Sequence, residues 1–210
     1  MVDLSTLSLF LLAALMLFLS PGPNMAFVLS HGVAHGPRGG LAAALGIAAA
    51  DLVLTLLTVT GIAALVAAWP PFFDLLRYGG AAYLLWLAVQ AVRAPGRAVL
   101  TRTSHVPMAT VFRMAMFNCL LNPKALLFFM VFLPQFVDAE RGQMALQLTV
   151  LGLTLTAASL VFHCGLGFFS GRVGAFLSRS PRAVRYQSWL LAAILASLAA
   201  RLILLERPAR

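Results

Sequence analysis

The feature that most constrains this chain is a long apolar run that prolines interrupt near its middle. Residues 17–29 read LFLSPGPNMAFVL, and Pro21, Gly22 and Pro23 form the interruption. A proline within a helix removes a backbone donor and clashes with the carbonyl four residues earlier. In hydrocarbon, such a break persists only where protein or a water-filled cavity satisfies the freed backbone groups. The run therefore predicts a broken membrane helix whose break faces the inside of a bundle.

Composition makes an integral membrane protein the expected class. The chain has 210 residues, of which 61% are hydrophobic and 10% are charged, whereas about 25% of a typical soluble domain is charged. The formal net charge of +9 does not indicate a nucleic-acid partner, because the arginines gather between apolar runs without interleaved aromatic residues. Basic connectors of this kind favour loops that are retained on the cytoplasmic side of a lipid bilayer.

Six apolar segments are each near the roughly 20 residues that a membrane-spanning helix needs. They cover residues 4–34, 41–68, 75–93, 111–133, 144–170 and 185–205. The connectors are short, as at 35–40, and the two longer ones at 94–110 and 171–184 are basic. We therefore predict one all-α membrane domain over residues 1–210, with six transmembrane helices. The distribution of arginine between the two sides favours both termini outside the cytoplasm.

Prolines break the first and the fourth of these segments. The first segment would be about 45 Å long if it were fully helical, so its break predicts two half-helices. The fourth segment carries Leu121-Asn122-Pro123-Lys124-Ala125 within an apolar run. Two interrupted segments at corresponding places in two halves are the best sequence indication of the binding site of a transporter.

The two halves of the chain repeat. Residues 77–85 align with 185–191, and Pro21 falls opposite Pro123 at a slightly smaller offset. Because each half has three helices, an odd number, the second half enters the membrane the opposite way. We predict two inverted three-helix repeats, about 1–93 and 111–206, with substrate near the midplane where they meet. A chance match between segments rich in leucine and alanine is the alternative.

Two ionisable residues lie deep within the predicted spans. Asp51 is the only acid well inside a segment, and Lys124 is the only lysine of the chain. A charge near the middle of a bilayer is costly, so such a residue indicates a functional site by default. We predict that Asp51 holds a substrate ammonium or a coupling proton, and that Lys124 faces a substrate carboxylate. The alternatives are a fixed ion pair between the two residues and a lysine that reaches the membrane interface.

The helix breaks supply a second element of the predicted site. Asn122 precedes Pro123 as an N-cap residue precedes a proline at the first helical position, and Asn24 follows Pro23 at a similar restart. Free backbone N–H groups at such a restart favour an anion. A zwitterionic amino acid fits this pattern, with its carboxylate at the helix starts and its ammonium at Asp51. Mechanical kinking alone is the alternative.

Five stretches of the chain carry a resemblance to a known family. They are Ser20-Pro21-Gly22-Pro23-Asn24, Gly36-x-Arg38-x-Gly40 leading to Leu45-Gly46-x-x-x-x-Asp51, Gly80-Ala81-Ala82-Tyr83-Leu84-Leu85-Trp86-Leu87, Asn122-Pro123-Lys124-Ala125-Leu126-Leu127-Phe128-Phe129 and Phe132-Leu133-Pro134-Gln135-Phe136-Val137. Together they resemble the LysE/RhtB amino-acid exporters over nearly the whole chain. The resemblance implies a multi-pass protein of the bacterial inner membrane that exports amino acids or close derivatives, driven by the proton gradient.

The predicted substrate-binding or coupling residues are Pro21, Gly22, Pro23, Asn24, Asp51, Asn122, Pro123 and Lys124. We expect a transporter without enzymatic activity, cofactor or resident metal, and a homo-oligomer remains open. A heavy-metal cation exporter of the same superfamily is the alternative, although it would want softer or more numerous ligands.

A membrane thiol-redox carrier is a less favoured alternative, since Cys119 and Cys164 lack CxxC spacing. His163 is interpreted as either a packed, hydrogen-bonded residue or part of a proton relay.

Overall fold

The apolar runs of the sequence become helices in the computed structural model of the protein. The structure describes residues 2–19, 22–62, 78–79, 81–82, 85–86, 88–90, 92–93, 106–138, 142–179, 185–186, 188–189, 192–193, 195–197 and 199–200. In chain order the helices are α1 (Leu4–Leu19), α2 (Pro23–Leu57), α3 (Met108–Leu120), α4 (Pro123–Leu127), α5 (Met144–Phe168) and α6 (Ser170–Arg179). A π-helical turn, Thr58–Ile62, extends α2, and α4 continues through a π-helical turn, Phe128–Phe132, into a 3-10 turn, Leu133–Phe136.

All regular structure within these described ranges is helical, in agreement with the predicted all-α class. Parts of the predicted third segment (75–93) and sixth segment (185–205) lie outside the described residues, and the pieces of both that are described are helical. Ser20 and Pro21 also lie outside them. The number of six spans and the inverted repeat therefore stay predictions.

The first predicted break separates α1 from α2. α1 ends at Leu19, and Gly22 has an extended backbone (φ −165°, ψ −179°) directly before Pro23, which starts α2. Proline suits the first helical position because the N–H that it lacks has no intrahelical partner there. The predicted segment 4–34 therefore consists of two separate helical stretches.

A tight reversal at Gly36 divides α2 into two antiparallel stretches, 23–35 and 37–57. Gly36 has φ 66° and ψ −163°, a conformation that is essentially restricted to glycine. The reversal brings the side chains of Asn24 and Asp51 to the same sulfur, that of Cys119, at 3.2 and 3.6 Å. In one straight helix those two residues would lie about 40 Å apart. The predicted connector 35–40 is therefore wrong in length, because the chain turns at a single glycine.

The second predicted break separates α3 from α4. Leu121 and Asn122 lie between the helices, and the Asn122 side chain caps α4 by accepting a hydrogen bond from the backbone N–H of Lys124 at 3.0 Å. Pro123 occupies the first helical position. The two helical parts, Met108–Leu120 and Lys124–Phe136, are bent by 58°. The predicted break and the predicted N-cap at Asn122 are both present.

Two of the described helices are long and apolar enough to cross a membrane. They are Pro23–Gly61 and Met144–Phe168. Because the chain reverses at Gly36, Pro23–Gly61 consists of two antiparallel stretches and not of one straight span. The bent pair Met108–Leu120 and Lys124–Phe136 makes a third if it is taken as one broken span. The predicted connector 171–184 is wrong in its first part, because α6 follows α5 almost directly and runs to Arg179.

Aromatic packing holds α1 against the chain after the second break. The ring of Phe10 contacts those of Phe128, Phe132 and Phe136, with centroids between 5.2 and 6.5 Å apart. Aromatic pairs at such distances are stabilised beyond the effect of burial alone. The middle of α1 is therefore fixed against the π-helical and 3-10 turns that follow α4.

Two glycines set the distance between α2 and α5. A Cβ added to Gly40 would lie 2.5 Å from the Cα of Gly167, and one added to Gly167 would lie 2.7 Å from the Cα of Gly40. Small residues allow helix backbones to approach closely in lipid, where packing replaces the hydrophobic effect. This crossing brings the helix that carries Asp51 next to α5, which carries Ser159 and His163.

Gly36→Ala should destabilise the protein, because alanine disfavours the backbone conformation of the reversal. Such a conformation costs a residue other than glycine about 1–3 kcal/mol, and no atom lies within 4 Å of the added Cβ to provide another cause. We expect a lower Tm in detergent, measured by circular dichroism. Gly165→Ala is the matched control, since Gly165 is helical with equally open surroundings, and its Tm should stay equal or rise. An unchanged Tm for Gly36→Ala would contradict the reversal.

Candidate functional site

A cavity of about 50 Å³ lies where the two helix breaks face each other. Its polar lining consists of Asn24, Asp51, Asn122, Lys124, Ser159 and His163. Its apolar lining consists of Leu17, Phe18, Met25, Phe128, Phe129 and Leu155, with Gly22 and Ala125 beside them. The cavity thus combines groups of opposite charge with an apolar wall, inside a bundle of membrane helices.

Five of the eight residues predicted for the site line this cavity. They are Gly22, Asn24, Asp51, Asn122 and Lys124. Pro23 and Pro123 are the first residues of α2 and α4 and determine where these helices start, and Pro21 lies outside the described residues. The structure therefore brings the two predicted charges to one place, although they are 73 residues apart in the chain.

Asp51 is buried, with 5% of its surface exposed. Its Oδ1 accepts a hydrogen bond from the Cys119 thiol, with 3.6 Å between sulfur and oxygen, and the Ser159 side chain also hydrogen-bonds its carboxyl group. Burial of a carboxylate is costly unless it is paired and hydrogen-bonded. Both of these partners are neutral, so neither cancels the negative charge.

Lys124 connects the second helix break to the end of α1. Its Nζ donates a hydrogen bond to the backbone carbonyl of Leu17 at 2.9 Å. The last carbonyls of a helix lack intrahelical partners and carry the negative end of the helix dipole, which favours a cation there. The ammonium group of Lys124 is thus held at the cavity by a neutral acceptor.

Three asparagines join the two helix breaks. The Oδ1 of Asn24 accepts hydrogen bonds from the Nδ2 atoms of Asn118 and Asn122, each at 3.1 Å, and its Nδ2 donates to the sulfur of Cys119 at 3.2 Å. We call Asn24, Asn118 and Asn122 the asparagine junction. Asn118 was not among the residues predicted from the sequence, although its position one helical turn before Asn122 could have indicated it.

Ser159 and His163 provide a second polar pair on α5. Nδ1 of His163 lies 2.8 Å from the backbone oxygen of Ser159 and 3.2 Å from its hydroxyl oxygen. Both residues are almost fully buried, at 1% and 4% exposure. His163 was a candidate from the sequence, but Ser159 was not, because one hydroxyl in an apolar helix commonly bonds its own backbone.

Apolar helices that enclose an acid and a lysine at two helix breaks define a membrane transport protein, since discontinuous helices and buried charges mark transporter binding sites. Comparison with known proteins agrees with this class. The LysE type translocator family matches residues 15–206, and the chain belongs to this family. It is therefore a transport protein of a membrane and not an enzyme.

The similar proteins include several efflux proteins of enteric bacteria. A leucine efflux protein of Klebsiella pneumoniae is 32% identical over 203 residues, which cover 94% of each chain. A leucine efflux protein of Salmonella typhimurium is 33% identical over 201 residues, again 94% of each chain. No solved structure matches the chain significantly.

The heavy-metal alternative receives no support from the arrangement of ligands. Within the described ranges, no group of three or more His, Cys, Asp or Glu side chains is placed to hold a metal ion. Cys119 is buried and Cys164 is partly buried, and both are free thiols. The Cys119 thiol instead hydrogen-bonds Asp51.

Asn24→Ala should destabilise the protein more than Asn118→Ala. The first change removes the acceptor that two amides share and takes a partner from Asn122, which is 5% exposed, whereas the second removes only one donor. A buried polar group without a partner costs about 1–3 kcal/mol. We expect Tm in detergent to fall in the order wild type, Asn118→Ala, Asn24→Ala. Equal Tm values for the two variants would contradict the central position of Asn24.

Proposed function

We propose that this protein exports amino acids with large aliphatic side chains, such as leucine, across the bacterial inner membrane. The observation that carries the proposal is that Asp51 and Lys124, of opposite charge, line one cavity between two helix breaks. The leucine efflux proteins that match nearly the whole chain support the same class of substrate.

The site offers a partner to each part of an amino acid. The substrate ammonium would bind the Asp51 carboxylate, whose present partners, a thiol and a hydroxyl, leave its charge uncancelled. The substrate carboxylate would bind the Lys124 ammonium, which would leave the Leu17 carbonyl. The positive end of the α2 helix dipole, at Pro23, would also attract the substrate carboxylate.

The apolar wall provides the place for the side chain. Phe18, Phe128, Phe129 and Leu155 lie on the cavity together with Met25. A polar or charged side chain would lose its hydration against these groups, whereas an aliphatic one would be stabilised by burial. Pocket shape then separates similar aliphatic substrates only weakly, since one methylene changes binding by about 1–3 kcal/mol.

The transport cycle that fits this site is alternating access with proton antiport. The two inverted repeats would move against each other around the cavity, as in other transporters with broken helices. Protonation of Asp51 would neutralise the group that holds the substrate ammonium and so release the amino acid to the outside. Loss of that proton to the cytoplasm would prepare Asp51 for the next substrate.

Purified protein in liposomes tests this function. We expect tracer leucine to exchange with unlabelled internal leucine, and to accumulate when a pH gradient is imposed with the acidic side opposite to the leucine. Lysine and Cd²⁺ serve as competitors of other classes. The proposal would be overturned if Cd²⁺ alone inhibited the exchange, or if no amino acid tested were exchanged.

Asp51→Asn should abolish leucine transport while the protein still reaches the membrane. The amide has nearly the shape of the carboxylate but neither attracts an ammonium nor binds a coupling proton. Transport is measured in liposomes, and membrane insertion by fluorescence size-exclusion chromatography of a tagged protein. Asp3→Asn is the matched control, because Asp3 caps α1 by accepting a hydrogen bond from the backbone N–H of Thr6, and asparagine is as good an N-cap residue as aspartate. Undiminished transport by Asp51→Asn would remove the role of this carboxylate.

Lys124→Met should impair transport more than Lys124→Arg. Methionine keeps much of the aliphatic stem but removes the charge that would bind the substrate carboxylate, whereas arginine keeps the charge with a wider head group. We expect the affinity for leucine to fall at least ten-fold in Lys124→Met and less in Lys124→Arg, measured as the concentration for half-maximal exchange. Equal affinities in the two variants would show that charge at this position is unimportant.

A further inference from the structure

Two residues of the cavity have no part in the substrate pose described above. Ser159 and His163 lie one helical turn apart on α5, and both line the cavity. The Ser159 side chain hydrogen-bonds the Asp51 carboxyl group, and its hydroxyl oxygen lies 3.2 Å from Nδ1 of His163. Ser159 therefore lies between Asp51 and His163 on the wall of one cavity, where its hydroxyl can bridge the two side chains across the contact between α2 and α5.

We propose that Ser159 and His163 are a proton relay that loads and unloads Asp51 while the substrate side of the carboxylate stays available to an ammonium group. This inference rests on the proposed proton-coupled export and adds the path by which the proton arrives. It assigns positioning and transfer roles to two residues that do not hold the amino acid.

The hydrogen-bond geometry determines the starting tautomer of His163. Nδ1 lies 2.8 Å from the backbone oxygen of Ser159, and a carbonyl oxygen can only accept, so the proton of neutral His163 resides on Nδ1. Nε2 is then the basic atom of the ring, and it is the atom that can take a proton from water in the cavity. The Ser159 hydroxyl is left to donate to the Asp51 carboxylate.

One transfer moves one proton and leaves no charge behind on α5. A proton binds Nε2 of His163 and gives an imidazolium. The Nδ1 proton passes to the hydroxyl oxygen of Ser159 as the Ser159 hydroxyl proton passes to Asp51. Asp51 then becomes a neutral carboxylic acid, and His163 becomes a neutral ring with its proton on Nε2. In that state the lone pair of Nδ1 faces the carbonyl lone pair of Ser159 at 2.8 Å. Unloading reverses the steps: the Asp51 proton passes to the Ser159 hydroxyl oxygen as the Ser159 hydroxyl proton returns to Nδ1, and Nε2 then releases its proton to water in the cavity, which restores the starting tautomer.

The charged and titratable groups around the relay favour passage of the proton to Asp51. From α2 the relay faces Asp51, from α3 the Cys119 thiol reaches the same carboxylate, and from α4 the positive charge of Lys124 acts on His163. The positive charge of Lys124 repels an imidazolium at His163, whereas a proton on Asp51 neutralises a buried negative charge. The proton is therefore more stable on Asp51 than on His163. The aromatic rings of Phe18 and Phe162 flank His163, with ring centroids 5.9 and 5.3 Å from that of the imidazole.

The test separates exchange of leucine from its coupling to protons, in liposomes that contain the full-length protein. Exchange of internal for external leucine returns the carrier with substrate bound and needs no proton on Asp51, whereas accumulation driven by a pH gradient needs one proton per cycle. The measured quantity is the ratio of driven accumulation to exchange, with an internal pH-sensitive dye to record the accompanying proton movement.

Two variants interrupt the relay at different atoms. Ser159→Ala removes the bridging hydroxyl, and His163→Asn keeps an amide donor near the position of Nδ1 but cannot carry a proton through a ring. Thr156→Ala is the matched control, because Thr156 is also buried on α5 and its hydroxyl donates to the carbonyl of Gly152 at 2.9 Å. We expect the ratio to fall at least five-fold in both variants and to stay within two-fold of wild type in Thr156→Ala.

The possible results separate the relay from the proposed function. A ratio that falls by less than five-fold in either variant overturns the relay, and so does loss of exchange in both variants, which would assign the pair to substrate binding or folding. If only one variant loses exchange, the ratio of driven accumulation to exchange in the other variant decides whether the relay is correct. Wild-type protein that exchanges leucine without responding to the pH gradient overturns the relay and leaves the amino-acid site intact. Wild-type protein without any amino-acid exchange overturns the proposed function itself.

Discussion

The hydrogen bonds between the two helix breaks are the interaction on which the rest of this structure depends. A break in a membrane helix exposes polar groups that lipid cannot satisfy. Here each break supplies partners to the other, because Asn24 accepts from Asn122 and Lys124 donates to the carbonyl of Leu17. The two breaks therefore stabilise each other, and the place where they meet combines two opposite charges with a cavity.

The partners of the two charges are suited to exchange. Asp51 is held by a thiol and a hydroxyl, and one of the partners of Lys124 is a backbone carbonyl. A buried ion pair made directly between them would have to be separated before a substrate could bind, at a cost of several kcal/mol. Neutral partners can be replaced by the ammonium and carboxylate of an amino acid with a smaller loss, so the empty and occupied sites can be close in energy.

Much of the site could be predicted from the sequence because its signals are local. Pro23 and Pro123 favour helix starts through their own backbone geometry, and the cap at Asn122 depends only on the two residues that follow it. A single acid or lysine is easily recognised in an apolar run. The signals that failed are not local. Ser159 is one of several hydroxyl residues on α5, and Thr149, Thr154 and Thr156 on the same helix each donate to a backbone carbonyl. Only the packing of α5 on α2 distinguishes Ser159 from them.

The sequence by itself determined the class of the protein, the two broken helices and the identity of the two charges that line the cavity, because hydrophobicity, proline and charge act on the chain within a few residues. The tertiary structure decided which of these groups meet. The reversal at Gly36 places Asp51 beside Asn24, and the crossing of Gly40 with Gly167 brings Ser159 and His163 to the carboxylate. Contacts between residues that are about a hundred positions apart depend on how helices pack, and no short stretch of sequence contains that information.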